Sequence, residues 1–94
     1  MTNLEEFWNF VGAWFPDADL EGVDDDEQVV RNFVATKNHG RIEQVYLGCR
    51  EVLAMDPLPV DRITDDANRY FENEMECREW LNKCLAILAD AVAA

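Results

Sequence analysis

Residues 41–55 read RIEQVYLGCREVLAM. Within them Ile42, Val45, Tyr46, Cys49, Val52 and Leu53 recur at intervals of three and four. That spacing places apolar side chains on one face of an α-helix. The stripe is unbroken and predicts a helix from Arg41 to about Met55. Asp56-Pro57-Leu58-Pro59 terminates it, because proline lacks the N–H that a continuing helix needs.

The same period extends outward in both directions. Upstream, Val29, Val30, Phe33 and Val34 form the apolar face of a shorter helix. Asp24 is its expected cap, with Glu27 at the third helical position and Asp25 and Asp26 in the first turn. Asn38-His39-Gly40 is its expected stop. Further back, Leu4, Phe7, Trp8, Val11, Trp14 and Phe15 make another stripe, and Phe10 falls off it. Thr2 with Glu5 reads as a capping box for this first helix. Pro16 is expected to end it, since the residue before a proline is pushed away from helical geometry. An acidic loop, residues 16–23, is expected to follow. Downstream, a short helix is expected from Val60 to about Asn68, with Ile63 and Ala67 inward. Its end is left open as far as Tyr70 and Phe71. A last helix runs from about Glu74 with Cys77, Trp80, Leu81, Cys84, Ile87, Leu88 and Ala91 on one face. No strand alternation or hairpin dipeptide competes, and there is no repeat or flexible linker. The expectation is an all-α fold: residues 1–94 as one domain, a compact bundle of four to five short helices.

Composition narrows the function. The chain has 94 residues, with 20 acidic side chains against 8 basic ones and a net charge of -12. Too few cations remain to neutralise phosphates, so nucleic acid and anionic membrane surfaces are poor partners. Hydrophobic residues make up 49% of the chain, which argues against disorder despite the charge. No run approaches the length of a bilayer span. The N-terminus lacks the basic and apolar segments of a signal peptide. Three cysteines cannot all pair within one chain, which fits a reducing compartment. A soluble, cytoplasmic protein is expected.

Little in the chain suggests catalysis or a cofactor. Cys49, Cys77 and Cys84 lie on apolar helix faces, where thiols are buried and inert. His39, the only histidine, sits in an expected turn. There is no phosphate loop, nucleophile elbow or histidine pair. Asp17-Ala18-Asp19-Leu20-Glu21-Gly22 looks like the start of a calcium loop. The twelfth position from Asp17 is Gln28, which cannot supply the bidentate carboxylate, and no sister loop exists. A calcium-binding helix-loop-helix is therefore the third choice among functions, and no catalytic residue, metal site or cofactor is expected.

The acids are unevenly spread. Residues 1–30 hold nine acids and no base, and seven of the nine lie between Asp17 and Glu27. With nothing basic nearby in sequence, such a cluster repels itself unless a basic partner covers it. Proteins that cleave nucleic acids are an obvious class of such partner. Asp17, Asp19, Glu21, Asp24, Asp25 and Asp26 are the first candidate contacts. Asp65, Asp66, Tyr70, Glu72 and Glu74 extend the candidate face, although Arg62, Arg69 and Arg78 interrupt it. Burial against a neighbouring helix is the expected fate of most aromatic rings, Tyr70 and Phe71 included.

Several segments bring a family into view. They are Leu4-Glu5-Glu6-Phe7, Gly12-Ala13-Trp14-Phe15-Pro16-Asp17-Ala18-Asp19-Leu20, Glu27-Gln28-Val29-Val30, Asn68-Arg69-Tyr70-Phe71 and Arg78-Glu79-Trp80-Leu81. In order and length the chain resembles the small helical CdiI-type immunity proteins of bacterial contact-dependent growth inhibition systems. The resemblance implies a non-enzymatic protein that binds a cognate CdiA C-terminal toxin domain, often a nuclease. It implies neutralisation in the cytoplasm, usually by blocking the toxin's active site. An acidic helical adaptor or antitoxin-like regulatory module, with another basic partner, is the alternative.

Overall fold

The computed structural model describes residues 2–94. Five helices follow in order: α1 (Asn3–Glu21), α2 (Asp26–Val34), α3 (His39–Leu53), α4 (Val60–Ala67) and α5 (Glu74–Ala93). Among the described residues there is no strand. The all-α expectation therefore holds.

The α3 stripe is the centre of the structure. Ile42, Val45, Cys49 and Val52 are all buried, and α3 packs on α1 along one side and α5 along the other. On α1, Phe7, Val11 and Phe15 are buried; on α5, Cys77, Leu81, Cys84 and Leu88 are. The α1–α3 approach is close because Gly48 presents no side chain toward Asn3 and Phe7. Glu6 is buried beside this seam and its carboxylate accepts from the Arg41 Nε at 3.2 Å. α2 and α4 cover the remaining sides of α1, and α2 also rests on α5.

Among the boundaries that differ from expectation, two concern the end of α1 and the passage from α2 to α3. Pro16 lies inside α1, which runs on to Glu21. Proline removes the hydrogen bond to the Gly12 carbonyl, but Gly12 faces solvent and water can satisfy that oxygen. Burial of Phe15 and Ala18 on either side of Pro16 favours continuing the helix. Gly22, at φ 80°, stops it, with the Val23 N–H returning to the Ala18 carbonyl at 2.9 Å. The second difference is between α2 and α3. α2 stops at Val34, and Asn38 caps α3 by accepting from the Arg41 N–H at 3.3 Å. An asparagine read as a stop is thus a start, as its side-chain acceptor suits.

Phe10 is also corrected. It is 4% exposed and stacks against Phe33 at 4.6 Å and Phe15 at 5.6 Å. A helix covered on several sides buries more than one stripe.

Candidate partner-binding surface

The expected acidic loop is mostly helix. Asp17, Asp19 and Glu21 stand on the last turns of α1, and Asp24 and Asp25 lie in the four-residue link to α2. Asp25, not Asp24, is the cap of α2, accepting from the Glu27 N–H at 3.0 Å. On a helix Asp17 and Glu21 share one side while Asp19 is turned to the other, toward Arg69, so the three cannot wrap one cation as a calcium loop does. The calcium reading is removed on that ground.

The acids are also not without a basic neighbour. Arg69, just past the end of α4, reaches across to both α1 and α2. Its Nη1 lies 2.9 Å from Asp19 Oδ2, and its Nη2 lies 2.8 Å from Asp26 Oδ1. Its Nε donates to Asp26 as well, at 3.0 Å, and Nη1 also donates to the Ala67 and Asn68 carbonyls. The Trp80 Nε1–H donates to Asp26 Oδ2 at 2.7 Å, and Asn68 donates to Asp19 at 3.2 Å. The guanidinium lies 5.5 Å from the Phe15 ring. This node joins α1, α2, α5 and the end of α4. The Arg69 hydrogen bond, helped by that of Asn68, holds the Asp19 carboxyl below the usual carboxylate range. Asp26, with lesser help from Asp19, pushes the Arg69 guanidinium further up, so it stays charged.

Asp19 and Asp26 therefore serve the fold first. Asp17, Glu21 and Asp24 remain exposed. In the second group, Asp66 pairs with Arg62 at 3.4 Å. Glu74 pairs with Arg78 at 3.3 Å and accepts from the Leu58 N–H at 2.9 Å, pinning the start of α5 to the link between α3 and α4. Asp65 and Glu72 are exposed. Tyr70 is 79% exposed, contrary to the expectation of burial, whereas Phe71 packs edge-on against Trp80 at 5.5 Å.

The structure does not gather all eleven candidates into one patch. Asp17 and Glu21 border a hollow with Trp14, Ala18 and Val29. Asp24, Asp25 and Asp26 border a groove against Trp80 and Lys83 of α5. That groove continues past Trp80 to Tyr70, Glu76 and Glu79. Sequence reading missed Arg69 as the organiser of this region. Its only local signal is a lone cation in an acidic segment, and its partners lie 43 and 50 residues away.

The family model of the CdiI immunity protein matches residues 3–88. The chain belongs to the CdiI immunity protein family. No curated protein and no solved structure matches it.

The three thiols of this immunity protein are free and buried. Burial pushes Cys49 up to about 12 and Cys77 to about 11, and raises Cys84 well above its ordinary value. Protonated, buried thiols are poor nucleophiles. His39 begins α3 at the surface. Among the described residues no three His, Cys, Asp or Glu side chains are grouped to hold a metal ion, and no helix is long and apolar enough to cross a membrane. The immunity protein's distinguishing surface property is charge. Among the described residues, ion pairs engage six of the twenty acids and five of the eight bases. Fourteen acids are left against Lys37, Arg50 and Lys83.

Proposed function

We propose that this immunity protein acts in the cytoplasm, without catalysis, by binding the C-terminal toxin domain of its cognate CdiA protein. The toxin is a basic nuclease, and binding closes its active-site cleft. The observation that carries this reading is the excess of unpaired carboxylates over unpaired cations. A nuclease cleft is lined by Lys and Arg to hold phosphates, and carboxylates on a rigid helical surface compete for the same side chains. Opposite charge also steers encounter, raising association rates by about 10–1000-fold over neutral partners at low salt.

The test is co-expression of the cognate CdiA toxin domain with and without this protein, followed by association kinetics over a range of salt. Protection of growth, with association slowing steeply as salt rises, is the expected result. Equal killing in both cultures overturns the immunity reading. Protection with salt-independent association overturns the basic-nuclease part alone.

A further inference from the structure

The chain turns two adjacent rings in opposite directions just before α5. Phe71 goes inward onto Trp80, and Tyr70 is left 79% exposed. A large aromatic ring held in water has an apolar body without apolar cover and a hydroxyl suited to an interface. Tyrosine is among the residues enriched where binding energy concentrates.

The segment carrying Tyr70 is held in place. Arg69, its immediate neighbour, is only 17% exposed at the side chain and is bound by two carboxylates and two backbone carbonyls. Asn68 before it adopts the left-handed conformation, at φ 56°, that ends α4. Phe71 after it is packed. A ring presented from ordered backbone loses less entropy on docking than one on a mobile loop.

Beside the ring runs the groove between the start of α2 and α5. Trp80 lines both of its halves, Asp24 and Asp25 flank one half, and Glu76 and Glu79 flank the other. None of these four acids is in an ion pair among the described residues, and Lys83 is the only cation beside them apart from the committed Arg69. The pattern is an aromatic knob next to an acidic channel. Its complement is a protein surface with an apolar pocket bordered by Lys or Arg. A nucleic acid or an anionic membrane offers the wrong charge.

We propose that Tyr70 is the anchor of the toxin interface and that the α2–α5 groove receives the toxin's basic side chains, so the docking face is this one rather than the Asp17–Glu21 side of α1. The proposal rests on the toxin-binding reading above and deepens it by naming the surface. Arg69 is a positioning residue in this scheme, and Asp19 and Asp26 hold it.

The experiment compares the unaltered protein with three variants against the purified cognate CdiA toxin domain, following association and dissociation. Tyr70→Ala is expected to weaken binding about thirty-fold or more, mainly through faster dissociation. The paired variant Glu76→Gln with Glu79→Gln is expected to slow association several-fold at low salt. Asp17→Asn with Glu21→Gln is expected to leave affinity within about three-fold, as for contacts outside an interface's energetic centre. All the altered side chains are exposed, and circular dichroism is expected to show unchanged helix content. If the unaltered protein binds and Tyr70→Ala binds within three-fold of it, the anchor is refuted. If the α1 pair weakens binding more than Tyr70→Ala does, the docking face lies on α1. If the unaltered protein does not bind, the function proposed above fails, and the surface assignment fails with it.

Discussion

Replacing Gly48 by alanine pits two effects of opposite sign against each other. Alanine is the better helix former by about 1 kcal/mol, so the change would ordinarily stabilise the middle of α3. At this position, however, a Cβ would stand 2.7 Å from Phe7 Cβ and 2.9 Å from the Asn3 carbonyl carbon, with the Asn3 oxygen nearer still. Carbon atoms rest at about 3.5–4.0 Å, so α1 and α3 would have to part by roughly 1 Å. The Asn3 atoms are backbone and cannot rotate aside. Overpacking of this kind costs about 1–3 kcal/mol, occasionally more, and backbone on one side favours the upper end. After subtracting the propensity gain, Gly48→Ala should destabilise by about 2 kcal/mol. In a domain this small that lowers Tm by roughly 8–16 °C. Gly12→Ala is the internal control, because nothing lies within 4 Å of a Cβ there. It should stabilise by about 0.5–1 kcal/mol. Thermal and urea denaturation followed by far-UV circular dichroism would measure both. A Gly48→Ala variant as stable as the unaltered protein would refute the close approach of α1 and α3.

Three further outcomes are expected. Asp25→Ala removes the α2 cap and should cost about 1 kcal/mol, while Asp24→Ala should cost less than half of that; denaturation midpoints of the two variants decide which residue caps. The folded-state pKa of Asp19 is depressed by Arg69 and Asn68, so its contribution to stability is complete above the unfolded value of about 3.9 and is lost as pH falls through the lower folded value. Tm measured from neutral to acid pH should therefore fall more steeply below pH ~4 for the unaltered protein than for Asp19→Asn, and the two curves should converge. The three buried thiols should react with a disulfide reagent at about pH 8 only as fast as the protein opens, and rapidly once it is denatured, which absorbance of the released thiolate reports.

What the sequence reveals here depends on the range of the interaction. Helix faces are local, and the stripes of α3 and α5 place Ile42, Val45, Cys49, Leu81 and Leu88 where the structure buries them. Proline's effect is local too, yet Pro16 does not end α1. Phe15 packs against Trp80 of α5 and Ala18 is buried as well, and the tertiary gain outweighs the local preference. Phe10 reads as off-face for the same reason, since a periodicity cannot show that α2 will cover a second side of α1. The acidic character was plain from composition, but its division into structural and uncommitted carboxylates was not. Asp19 and Asp26 are indistinguishable in sequence from Asp17 and Asp24, and the positions of Arg69, Asn68 and Trp80 separate them.

That separation bears on how function and stability share this surface. The fold commits most of its few cations internally. Arg69 ties α1 and α2, Arg41 neutralises the buried Glu6, Arg62 pairs with Asp66 and lies 4.0 Å over the Trp8 ring, and Arg78 reaches the Leu53 carbonyl. Each cation consumed in this way leaves carboxylates elsewhere without a partner. The anionic field is thus a consequence of how the bundle is held together as much as of the count of acids. A basic partner relieves the self-repulsion of those carboxylates without breaking any of the internal pairs. In the proposal above that partner is the basic toxin, meeting the uncommitted acids that adjoin the Arg69 node, where the geometry is fixed by bonds that binding does not have to make.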